Sequence, residues 1–182
     1  DQEALELAGK MANSLRTSAF WERGWGFIEI PGVSAIDRGH FAGHGNTNLI
    51  TLRGILEYAD AANDADAKEL VRSAYELFRN YGIPDIGYFQ EDFSSANGEG
   101  CCAASMVILA VRLSQSGVGD YWEDVEHYVR NQLVEWQLTD RAQLERITAA
   151  GEPRQANAPA ETDEGVIERA IGGFSANPFV TD

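Results

Sequence analysis

The connections between helical segments alternate between long and short, and this alternation narrows the folds open to the chain. Five segments carry apolar residues at helical spacing. The first covers roughly residues 2–18, with Leu5, Ala8, Met11, Ala12 and Leu15 in register. The second covers 46–61, with Leu49, Leu52, Ile55, Leu56 and Ala59 on one face. The third, 65–81, aligns Leu70, Val71, Ala74, Leu77, Phe78 and Tyr81. Asp64 is placed to cap its start, and Gly82 followed by Pro84 stops it. The fourth, 101–115, is apolar nearly all round, as a helix buried on most sides must be. The fifth, 121–138, has a stripe of Trp122, Val125, Tyr128, Val129, Leu133 and Trp136.

Helices two and three, and helices four and five, are joined by short turns at Asn63-Asp64 and at Gly117-Val118-Gly119. Short turns make antiparallel hairpins. Residues 20–45, 82–98 and 139–173 are long connections, and long connections tend to carry function. If successive helices run antiparallel, all the long loops gather at one end, where helices two and four begin. Striped helices one, three and five then lie outside. The expected fold is all-α, part of an (α/α)6 toroid. A full ring needs about twelve helices, so this chain of 182 residues is expected to be an incomplete, central part of one toroid domain. Residues 149–165, rich in Ala, Glu and Pro without apolar period, read as a mobile insertion.

Composition excludes some partners. With 29 acidic and 14 basic residues, the formal net charge is −15. Such a field repels nucleic acid and anionic membrane surfaces. No apolar run approaches the roughly 20 residues that a membrane span needs. The opening Asp1-Gln2-Glu3-Ala4 enters a helix at once, as a processed product or an excised piece would. The expectation is a soluble protein, in bacterial cytoplasm, periplasm or secreted; nothing in the sequence selects among these.

Chemistry concentrates at the long-loop end. Glu99-Gly100-Cys101-Cys102 puts a carboxylate and the only two thiols of the chain at the start of the apolar fourth helix. A carboxylate there needs a helix N-terminus, a metal or a substrate as partner. Carboxylate and thiolate suit zinc, but Glu99 and Cys101 fall short of the four ligands it takes, so the others must come from elsewhere. The plainer reading is that Glu99 answers the helix dipole and the cysteines are small buried residues. His40 and His44 lead into helix two, placed to bind sugar hydroxyls or a metal, or simply to pack the loop. Glu91 and Asp92 lie among Tyr88, Phe89 and Phe93. Apolar rings beside a carboxylate favour a general acid, and two carboxylates in one cleft meet the minimum for glycoside hydrolysis. The loop aromatics Phe20, Trp21, Trp25, Phe27 and Tyr88 either stack on sugar rings or pin the loops down. His127, on helix five, reads as structural.

The order Gly43-His44, Leu52-Arg53-Gly54, Gly82-Ile83, Glu91-Asp92-Phe93, Glu99-Gly100-Cys101-Cys102-Ala103 and Val129-Arg130-Asn131 resembles the six-hairpin glycosidases of the β-L-arabinofuranosidase family and their bacterial relatives. The likeness covers most of residues 40–135. It implies zinc binding by Glu99 and Cys101, a general acid/base at Glu91, and substrate contact by His44. It also implies a zinc-bound cysteine nucleophile from a later Cys-Cys motif, which this sequence lacks. The expected function is an exo-acting glycoside hydrolase on a terminal sugar such as arabinofuranose or a uronic acid. Glu91 and Glu99 are the catalytic candidates, and His40, His44 and Tyr88 the substrate-binding ones. The remaining segments of the toroid, or a partner chain, would complete the cleft, and the isolated chain is expected to be inactive. The rivals are a non-catalytic glycan-binding or structural helical module using the same face, and a scaffold domain with protein partners.

Overall fold

A computed structural model describes residues 1–16, 44–92, 97–151, 162 and 164–176. Among these residues the chain is all-α, with no strand beyond three isolated antiparallel bridges. Helix α1 is Gln2–Leu15, α2 Gly45–Ala62, α3 Ala65–Tyr81, α4 Gly100–Gln115 and α5 Trp122–His127. Helix α5 runs on into a π-helical segment, Tyr128–Leu133, and two further helices follow, α6 (Arg141–Ala150) and α7 (Val166–Ala170).

Local chemistry sets these boundaries. Asp64 caps α3 by accepting from the Ala67 amide at 2.9 Å. Asn63 takes a left-handed conformation (φ 54°) to close α2, which lets α3 fold straight back. Gly117 (φ 72°) does the same for α4. The apolar stripes then meet: Leu49, Leu52, Ile55 and Leu56 of α2, Val71, Tyr75 and Phe78 of α3, and Met106, Leu109 and Leu113 of α4 form one buried core. Each such aliphatic side chain contributes about 2 kcal/mol by leaving water.

Helices α2 and α4 lie parallel. Their N-caps, His44 and Glu99, touch at one end. At the other, Asp60 accepts from Ser116 at 2.6 Å, and Arg112 reaches Glu57 at 2.8 Å. Residues 82–92 and 97–99 therefore sit at the shared start of the two most buried helices, as the loop alternation predicts.

Three expectations change. Helix α1 does not end at this rim. Arg16, its C-cap, bonds Asp64 at 3.0 Å, so the connection to α2 starts at the turn end of the bundle. The cause is the pairing of that guanidinium with the α3 N-cap carboxylate, together with the close seat of Gly9 on the Tyr58 ring. The fifth helix is also not one regular α-helix through 138. Its π-helical stretch seats the Tyr128 backbone against Gly87, and Asn131 donates to the Asp85 carbonyl at 3.1 Å. π-helical turns re-aim side chains in this way. Helices α6 and α7 occupy part of the region read as loop. They bury no residue, and Arg141 ties them together by bonding Glu168 at 3.2 Å. Most of the 149–165 insertion lies outside the described residues.

The core holds a buried polar knot. Asp124, 4% exposed, accepts from the Tyr75 hydroxyl at 2.8 Å and from Arg79 through two bonds of 2.9 and 3.0 Å. Burial raises the phenols of Tyr75, Tyr88, Tyr121 and Tyr128. Tyr121, which is also bonded to Glu76, is pushed up from 10.0 to about 12. These raised phenols favour the fold fully below pH 10.0, and the Tyr121 share is lost as pH climbs toward about 12. Ultraviolet titration should therefore show these four tyrosines ionising late and together, in step with loss of helical circular dichroism. Independent ionisation of all four near pH 10.0 in a folded chain would contradict the packing.

Candidate functional site

The site is built where the 82–99 loop meets the starts of α2 and α4. After Gly82 the chain makes a turn closed by Ile83 and Tyr88, with mutual amide–carbonyl bonds of 2.8 and 3.2 Å. It then forms two short antiparallel arms. The Glu99 amide donates to the Phe89 carbonyl at 2.9 Å, and the Glu91 amide to the Asn97 carbonyl at 3.1 Å. One arm carries Glu91 and the other Glu99. The Gly45 amide, at the first turn of α2, donates to the Glu91 carbonyl at 2.6 Å. A methyl group on Gly45 would meet Phe78, the Glu91 carbonyl and the Cys102 sulfur at 2.8, 3.0 and 3.1 Å. The loop and both helix starts are thus locked together.

Glu99 stands at the N-cap of α4 and is 6% exposed. Its carboxylate accepts no capping bond from the backbone amides of the first turn. Instead Oε1 lies 3.0 Å from His44 Nε2, and Oε2 accepts from the Cys102 thiol at 2.9 Å. His44 is the N-cap of α2, and its Nδ1 accepts from the Thr47 amide at 3.3 Å. A nitrogen that accepts an amide proton carries none, so the neutral ring holds its proton on Nε2 and donates it to Glu99. The starts of two parallel helices meet at this carboxylate. The His44 side chain remains 40% exposed, so the ring is the solvent-facing end of the trio.

The His44 and Glu99 side chains therefore meet at one rim, and the Glu91 main chain is tied beside them through Gly45. Other candidates do not join them. Tyr88 is buried rather than open to a ligand: its ring stacks edge-on against Trp136 at 6.1 Å, over the Gly98 backbone. Cys101 is exposed, and the thiol bonded to Glu99 belongs to Cys102. His127 lies on α5, away from this rim, and approaches Glu123 at 4.0 Å. His40, Phe20, Trp21, Trp25, Phe27 and Phe93 lie outside the described residues.

As placed, the donors around Glu99 are engaged with one another. Both Glu99 oxygens are engaged by hydrogen-bond donors, and Cys101 is exposed. Burial, then the hydrogen bond to Glu99, pushes the Cys102 thiol well above its usual range. Among the described residues no group of three or more His, Cys, Asp or Glu is arranged to hold a metal.

Two contacts escape a reading of the sequence by motif. Cys102 follows Glu99 by three positions, a spacing that places both on one helix face and so signals their contact. The Gly45–Glu91 bond involves main-chain atoms only, and no side-chain pattern announces it.

Comparison of the chain with protein-family models, curated proteins and solved structures returns no match.

Proposed function

We propose that this chain is a sector of an α/α-toroid glycoside hydrolase similar to the β-L-arabinofuranosidase family, acting on a terminal sugar at the rim where α2 and α4 begin. The observation that carries the reading is the 3.0 Å contact between His44 and Glu99 at that shared start, with Glu91 held beside it through Gly45. The α2–α3 and α4–α5 hairpins, with their parallel inner helices, are the sector. Helix α1 does not follow the ring pattern and stands outside the argument.

In this reading Glu91, half-buried on its loop arm, is the general acid that protonates the departing glycosidic oxygen. His44 meets the sugar. Glu99, with both oxygens engaged, acts through His44 as a positioning residue. Cys102, buried and protonated, takes no part as nucleophile, and no step runs through a metal.

Calorimetric titration of the chain with L-arabinose, D-galacturonic acid and D-glucuronic acid tests the proposal. Saturable binding of one sugar is expected, weakened about tenfold or more by His44→Ala, the size of one lost polar anchor. With the ring incomplete, hydrolysis of aryl glycosides by the chain alone is expected to be undetectable. Binding that Glu91→Gln preserves in a complete ring, while turnover falls about 10²–10⁴-fold, would mark the enzyme rather than a glycan-binding module. Absence of binding for every sugar, or binding indifferent to His44, overturns the proposal.

A further inference from the structure

We propose that Cys102 is a positioning residue: its buried thiol fixes the Glu99 carboxylate, which in turn holds the exposed His44 imidazole in a single tautomer at the rim. The geometry has three parts. Cys102 is 0% exposed and its sulfur sits 2.9 Å from Glu99 Oε2, as a donor. The opposite oxygen, Oε1, takes the His44 Nε2 proton at 3.0 Å. The far side of the ring is held at 3.3 Å by both the amide and the hydroxyl of Thr47.

A carboxylate can rotate about its terminal bond, and with one donor it has two equivalent ways to satisfy it. With a donor on each oxygen it has one. The thiol is suited to this task because it is small, tolerates full burial and, being protonated, can only donate to a carboxylate. Gly45 leaves the room this sulfur occupies, since a methyl group there would stand 3.1 Å from it. Cys102 therefore serves the rim without touching whatever binds there, and its neighbour Cys101, exposed one position earlier, has no part in it. The use of the held imidazole for sugar binding rests on the proposed function; the positioning itself does not.

Nitrogen-15 NMR of the histidine side chains, with the His44 signals assigned by His44→Gln, tests the inference. The intact chain should show His44 with an unprotonated Nδ1 and a slowly exchanging proton on Nε2. Cys102→Ala should mix the tautomers and speed exchange of that proton about tenfold. Cys102→Ser, which restores a donor of similar size, should recover the original spectrum, a rescue that mere loss of packing would not give. An unchanged His44 spectrum in folded Cys102→Ala overturns the inference.

If Cys102→Ala does not fold, the infrared S–H band of the Cys101→Ser chain gives the answer, because only the Cys102 thiol remains. A lowered stretching frequency that rises in Glu99→Gln supports the bond, and a free-thiol frequency overturns it. Sugar titration of the same proteins separates the two claims. Lost tautomer control with no sugar binding anywhere sinks only the glycosidase reading. Sugar binding with an unmoved His44 spectrum sinks only the positioning role.

Discussion

Gly87→Ala is expected to destabilise the chain by about 3 kcal/mol and to loosen the candidate site before the core. Gly87 has φ +76°, a left-handed conformation that costs an L-residue about 1 kcal/mol. The added methyl would also stand 2.6 Å from Tyr128 Cα and 2.9 Å from its Cβ. Backbone cannot swing aside as a side-chain end can, so overpacking adds about 1–3 kcal/mol. The 83–88 turn is the seat of the arm that carries Glu91, and Glu91 is what the Gly45 amide binds. Hydrogen exchange should therefore quicken first at Gly45 and Glu99, while amides inside α2 and α4 keep their protection. Urea unfolding measures the total. A loss below about 1 kcal/mol, within the ordinary scatter of single substitutions, would mean that the turn does not pack on the π-helical segment as described.

Asp124→Ala should cost a comparable amount, about 3 kcal/mol, by a different route. It orphans the Tyr75 hydroxyl, whose residue is fully buried, and frees Arg79 from a two-pronged pair. Removing one partner of a fully buried pair costs about 3–5 kcal/mol. Arg79 keeps 35% of its side chain exposed, so water recovers part of its loss and the lower end applies. In a domain of this size the midpoint of thermal unfolding should fall on the order of 10 °C. Asp124→Asn keeps the shape and one acceptor, and should lose less. Equal losses for the two variants would show that volume, not the hydrogen bonds and charge, holds α3 to α5.

The helices that build the core are legible from apolar spacing because each is long enough to display its stripe: Leu49 to Ala59 in α2, Val71 to Phe78 in α3. The hairpin turns are legible because Asn63, Asp64 and Gly117 have few other uses. The placement of α1 is not. Its end is fixed by one guanidinium, Arg16, finding a carboxylate 48 positions away, and periodicity carries no information about such a pair. The π-helical stretch at Tyr128–Leu133 is likewise invisible, since it packs on the backbone of Gly87, which belongs to another element. At the site, Glu99 stands out because a charge entering an apolar helix demands a partner. The identity of that partner does not: the sequence offers a helix N-terminus, a metal or a substrate, whereas the structure places an imidazole and a thiol there. Cys101 and Cys102 are adjacent in sequence yet face opposite environments, and only the helix phase relative to Glu99 separates them.

A crystal structure of the chain grown with saturating L-arabinose or D-galacturonic acid bears most directly on the central claim that His44 and Glu91, with Glu99 behind them, form one sugar-binding rim. The account predicts a sugar ring with hydroxyls in hydrogen-bonding reach of His44 and the Glu91 carboxylate, and Glu99 still joined to both His44 and Cys102. A sugar ordered on another face, or an open rim left empty while the sugar binds in solution, would contradict it.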